Sequence, residues 1–186
     1  NLSICLPLNM LLPRPQAGAA AAAQASTATE DVSADRHTRR AIWLLALMFS
    51  VAWFVTGAMA THLPRLLQEM GATATAAIAA GALIGPAQVA ARLVEFGLFR
   101  NLHPLISGRI AVAMHPIGGL VLVLVGGPAA AAFALLHGAG NGLLTIVRGT
   151  LPLALFGGTA YGLRQGLLGA PARLTQATSP FLFGLV

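Results

Sequence analysis

Residues 110–147, IAVAMHPIGGLVLVLVGGPAAAAFALLHGAGNGLLTIV, run for 38 positions without an Asp, Glu, Lys or Arg. An α-helix rises about 1.5 Å per residue and a bilayer core is about 30 Å thick, so roughly 20 apolar residues cross it once. The run is too long for one crossing and about right for two. Gly126, Gly127 and Pro128 supply the turn between them.

Composition agrees. The chain is 56% hydrophobic and 9% charged, with a mean hydropathy of +0.78, whereas soluble domains carry about 25% charged residues. A water-facing surface is hard to assemble from such a chain, and it reads as an all-α integral membrane protein. Outward from the opening run, residues 41–61 hold 21 residues without charge. The expected spans are about 41–61, 72–94, 110–126 and 128–147, with a fifth beginning at 174 and truncated at 186. Between the first two lies a polar connector in which Arg65 and Glu69, four apart, can pair on one helical turn. Residues 148–173, with three arginines and two prolines, read as a half-buried loop or interfacial helix. Residues 1–13 read as the end of a preceding transmembrane helix. The small and polar stretch 14–40 reads as a linker, and the whole as an internal fragment of a larger membrane protein.

All eleven basic residues are arginines. Arg14, Arg36, Arg39 and Arg40 precede the first span; Arg92, Arg100 and Arg109 follow the second; Arg148, Arg164 and Arg173 follow the fourth. If the spans alternate, these ten share one face and only Arg65 lies on the other, a positive-inside pattern that makes the Arg-rich face cytoplasmic. The net charge of +6 therefore reads as orienting charge, and no nucleic-acid partner is expected. A single cysteine, Cys5, excludes an internal disulfide.

Within the opening run, Gly138, Gly140 and Gly142 alternate, but no Lys follows. Neither GxGxxG nor GxxxxGK[ST] is matched, so a phosphate loop is excluded. At helical spacing Gly138 with Gly142, and Gly81 with Gly85, form small-xxx-small pairs suited to close helix packing. His137, Asn141, Thr145 and Arg148 fall near one stripe. It reads either as packing or as the lining of a substrate cavity, since intramembrane polar groups are costly unless paired or wetted. Trp53 and Thr56 are further cavity candidates. His115, about 9 Å into its span by helical rise from Arg109, is either a packing histidine or a proton relay. Gln88, Arg92 and Glu95 share another stripe, where Arg92 and Glu95 read as a structural or gating ion pair. Arg148 reads as a span end that orients the helix or meets a helix outside this segment. Ser50, Ser107 and Ser179 have no His–Asp partners at suggestive spacing and the acids and histidines form no ligand motif, so no enzyme, metal or cofactor is expected.

Two stretches carry a resemblance. GALIGPAQVAARLVEF (81–96) is similar to the eighth helix of some bacterial members of the major facilitator superfamily, and GNGLLTIVRGTLPLALFG (140–157) to their tenth helix and the loop after it. The resemblance implies an MFS-type helical bundle of about four complete transmembrane helices plus two truncated ones. Residues 14–40 would be the cytoplasmic central linker and 41–186 a partial C-terminal six-helix bundle. It implies a secondary transporter moving a small solute by alternating access, with proton-coupled efflux as a family-level expectation. The bacterial inner membrane would be its location, and the lipid bilayer and an N-terminal half of the same polypeptide its partners. The family's inner-loop signature of Gly, Asp-Arg and Gly-Arg is not reproduced: Gly85, Arg92 and Glu95 stand in that region. The alternative from another class is a non-transporting membrane scaffold or assembly subunit, which glycine-lined seams would serve equally well. The topology is testable: a reporter fused after Gly127 should read as outside, and one fused after Arg39 or His103 as inside. The opposite reading at any of the three breaks the arrangement.

Overall fold

The computed structural model describes residues 36–158 and 160–185. The expected preceding helix end, 1–13, and residues 14–35 of the expected linker lie outside the described residues. The elements are helical throughout: α1 Arg36–Glu69, α2 Ala74–Val94 continued by a π-helical turn Glu95–Phe99, α3 Pro104–Val125, a 3-10 turn Gly127–Ala129, α4 Ala130–Phe156 and α5 Tyr161–Gly184. Four of them are long and apolar enough to cross a membrane: Arg36–Glu69, Ala74–Phe99, Pro104–Val125 and Gly127–Phe156.

The helices overrun the expected boundaries because a charged residue does not end a helix; backbone geometry does. α1 continues past residue 61 through Pro64, supported by the Arg65–Glu69 ion pair at 2.8 Å, until Gly71 turns the chain at φ +92°. Thr73 then caps α2, its Oγ1 accepting from the Ala76 amide at 3.2 Å. His103 caps α3 in the same way, Nδ1 accepting from the Leu105 amide at 3.2 Å, with Pro104 in the first turn, where a missing N–H costs nothing. The expected gap up to Arg109 therefore shrinks to residues 100–103. The expected loop or interfacial helix at 148–173 is also replaced. α4 runs on through Pro152 to Gly157 (φ +70°), and α5 starts at Tyr161, so residue 174 lies mid-helix. α5 is not among the four membrane-length apolar helices.

α4 is the central rod. Gly138 and Gly142 face α2 so closely that a Cβ on the first would lie 2.7 Å from the Ile84 carbonyl oxygen, and on the second 2.5 Å from that of Gln88. Gly140 faces α3, where a Cβ would lie 3.0 Å from the Ala111 carbonyl oxygen. Successive small residues thus seat α4 on two neighbours at once. Gly81 and Gly85 do not share this role, because nothing lies within 4 Å of a Cβ built on either. Spacing on α2 marked a small-residue face, but among the described residues no helix packs on it. α1 meets α5 through Thr175, whose Oγ1 donates to the Ser50 carbonyl at 3.0 Å, and His62, which bonds the Pro180 carbonyl at 2.8 Å.

Among the described residues the apolar core falls into three clusters, two towards the ends of the rods and a smaller one of Ala111, Leu143 and Leu144 between them. At one end Ala58, Met59, Leu63 and Leu67 of α1 meet Ala77, Leu122, Phe133 and Ala134; at the other Leu45, Ala46 and Phe49 meet Val147, Leu151, Leu168 and Ala172. On α1 and α4 alike, the stretch between these two layers carries the polar residues Thr56, His137 and Asn141. The connectors after α1 and α3 meet at the first end, where a Cβ on Gly126 would lie 3.1 Å from the Met70 carbonyl oxygen. Alternating crossings require this.

Replacing Gly138 or Gly142 by Ala should force the α2–α4 seam apart and cost about 1–3 kcal/mol. Ala at Gly81 or Gly85 should be neutral or stabilise by up to about 1 kcal/mol through helix propensity. Thermal unfolding of the four variants in detergent checks this contrast.

Candidate functional site

Three helices deliver side chains to the polar layer. α4 carries His137 and Asn141 one turn apart and Thr145 one turn beyond; α1 contributes Thr56, and α3 contributes His115. Asn141 is the hub. Its Oδ1 lies 2.7 Å from Thr56 Oγ1 and 3.3 Å from His115 Nε2, and its Nδ2 lies 3.1 Å from His137 Nε2. Thr56 Oγ1 also lies 2.9 Å from the Ala52 carbonyl oxygen, and His115 Nδ1 lies 3.1 Å from that of Ala111. The two imidazoles meet edge to face at 5.1 Å between centroids, and His137 stacks on Phe133 at 5.8 Å. His137 and Asn141 are 3% and 7% exposed, so side-chain partners carry their hydrogen bonding. Gly140 makes room: a Cβ there would lie 2.7 Å from His115 Cε1.

His115 is deeper than its distance from Arg109 suggested. α3 begins at Pro104, which places His115 about 16 Å along it by helical rise. Beside Asn141 lies a cavity of about 120 Å³ lined by Trp53, Thr56, Gln88, Leu144 and Thr145 with Ala52, room for a few waters. Of the six expected cavity residues, Trp53, Thr56, Asn141 and Thr145 line this one. His115 lines a separate groove and His137 is buried behind Asn141.

The ion pair expected between Arg92 and Glu95 is not formed. Arg92 reaches across to α4, donating from Nε to Thr145 Oγ1 at 3.2 Å and from a terminal nitrogen to Gln88 Oε1 at 3.3 Å. Glu95 begins the π-helical turn and accepts from Ser107 Oγ of α3 at 2.7 Å; its Oε2 is buried without a hydrogen-bond partner. Arg148 lies inside α4, not at its end, and its guanidinium sits 5.8 Å over the Trp53 ring. A second cavity, of about 210 Å³, lies there among Trp53, Arg148, Gly169, Ala172, Arg173 and Gln176.

Sequence reasoning missed two contributors. Ser107 was weighed only as a nucleophile, yet it is buried and holds Glu95. Arg164, 6% exposed, donates to the Phe156 carbonyl at 2.7 Å and lies 5.5 Å over the Phe156 ring. The signal for it was an arginine just beyond the glycine pair 157–158, placed to serve the unpaired carbonyls of a helix end.

Substituting Asn141 by Leu should strand His137 Nε2 and His115 Nε2 and cost about 1–3 kcal/mol. The exposed Thr150, changed to Val, should cost no more than about 0.5 kcal/mol. Unfolding midpoints of the two variants check the difference. No protein-family model, curated protein or solved structure matches the chain, so these side chains carry the functional reading by themselves.

Proposed function

We propose that the chain is part of a secondary transporter of the major facilitator type, moving a small solute across a bacterial cytoplasmic membrane by alternating access. One observation carries the reading: helices α1, α2 and α4 converge on a cavity lined by Thr56, Gln88, Asn141 and Thr145, between two apolar layers of the bundle. A scaffold needs only the apolar layers and the glycine seam. Polar groups at that depth are costly and mark solute or ion pathways, and midplane sites between helices are where secondary transporters bind their cargo. The lining offers neutral donors and acceptors with the face of Trp53 beside them, which suits a small polar solute with an apolar side. The arginine-rich ends set the cytoplasmic face, and an N-terminal half of the polypeptide closes the cavity from the opposite side.

The full-length polypeptide containing this chain, reconstituted in vesicles, is offered a mixed panel of sugars, amino acids and small aromatic amines, with retained solutes identified by mass spectrometry. Uptake of at least one solute above protein-free vesicles is expected, falling at least tenfold, about 1.4 kcal/mol, in Thr56→Val or Asn141→Leu. Folded protein that retains no solute above protein-free vesicles, under gradients of either sign, overturns the transporter and favours the scaffold.

A further inference from the structure

The hydrogen bonds around His115 contain a conflict that one proton resolves. Both of its ring nitrogens face oxygens that only accept: Nδ1 faces the Ala111 carbonyl at 3.1 Å and Nε2 faces Asn141 Oδ1 at 3.3 Å. A neutral imidazole has one N–H and one lone pair, so it would satisfy one oxygen and oppose the other. An imidazolium satisfies both. Across the amide, Asn141 Nδ2 donates to His137 Nε2 at 3.1 Å, which makes His137 the neutral partner with its proton on Nδ1.

A half-turn of the Asn141 amide gives a second arrangement on the same frame. Nδ2 then points where Oδ1 stood and donates to His115 Nε2 and to Thr56 Oγ1. Thr56 donates to the Ala52 carbonyl, His115 donates from Nδ1 to Ala111, and His137 donates from Nε2 to Oδ1. Each of these bonds then has one donor and one acceptor, and every ring is neutral. The two arrangements differ by one proton: His115 gains it at Nε2, while His137 exchanges an Nε2 proton for one on Nδ1 with no net change.

We infer that His115 is a proton-binding site inside the bundle, and that the Asn141 amide converts its charge into a change of hydrogen-bonding character on the cavity wall. Few groups compete for that role. From α4, His137 and Asn141 face His115; from α1, Thr56 and apolar side chains; from α2, Gln88 faces Asn141 across the cavity, with Arg92 bound to Thr145 beyond it. The two described carboxylates are engaged elsewhere, Glu69 with Arg65 and Glu95 with Ser107. A groove of about 520 Å³, lined by Met48, Val51, Val55, Val112 and Pro116 with His115 and Ala52, leads to the ring. Its use in solute coupling rests on the transporter reading. A solute bonded to Thr56 or Asn141 meets different donors in the two arrangements, so proton and solute change each other's affinity by the same factor.

The test is ¹⁵N NMR of histidine-labelled protein in lipid nanodiscs, from about pH 5 to about pH 9, a window that brackets histidine's ordinary range. The expected result is that His115 passes from a neutral ring protonated on Nδ1 to an imidazolium, while His137 stays neutral and changes tautomer with the same midpoint. In Asn141→Leu the His137 tautomer should no longer follow His115. In Thr56→Val, which leaves an Asn141 donor unpaired only in the neutral arrangement, the His115 midpoint should move to higher pH. A His115 that stays neutral throughout, a His137 tautomer indifferent to pH, or an unmoved midpoint in Thr56→Val overturns the inference. The spectra need no solute. Vesicles that carry nothing therefore overturn the transporter and leave the proton site standing, whereas flux with an untitrating His115 overturns the proton site alone.

Discussion

Backbone against backbone at Gly138 and Gly142 sets the distance between α2 and α4, and the polar layer inherits that distance. Where glycines bring a helix this close, the side chains on its flanks are held within one hydrogen bond of the neighbouring rods. Asn141 stands between the two seam glycines in height and one residue beyond Gly140, the contact to α3. It therefore reaches α1 and α3 while its own backbone is pinned to α2. A wider seam would leave the same residues on the same helix with water or lipid between them.

The crossings themselves were legible because membrane thickness imposes a length and the absence of charge is easy to see. Their ends were not. Arg65, Arg109 and Arg148 look like boundaries in a hydropathy reading, yet each lies within a helix whose hydrogen bonds do not depend on polarity. α1, α3 and α4 stop at positive-φ glycines, Gly71, Gly126 and Gly157, which composition does not distinguish from the other glycines of the chain.

The site was half legible for a related reason. Spacing along one helix shows which side chains share a face, and the His137–Asn141–Thr145 stripe follows from it. Spacing is silent on what stands opposite. Thr56 and His115, 85 and 26 residues away from Asn141, could be nominated as polar residues in apolar spans but not joined to it. The same silence misled at Gly81 and Gly85, whose face meets no neighbour among the described residues, and at Arg92 and Glu95, which sit close in sequence but bond across to different helices.

The Arg164 contact at the end of α4 has a mechanical consequence. With its guanidinium on the Phe156 carbonyl and over the Phe156 ring, it offsets the negative end of the α4 dipole and ties the first turn of α5 to the last residue of α4. Gln165 adds a second strap by donating to the Arg148 carbonyl at 2.8 Å. α4 and α5 are thereby tied at their junction. α5 is also bonded to α1 through Thr175 and His62, so it joins the rod that carries Asn141 to the rod that carries Thr56.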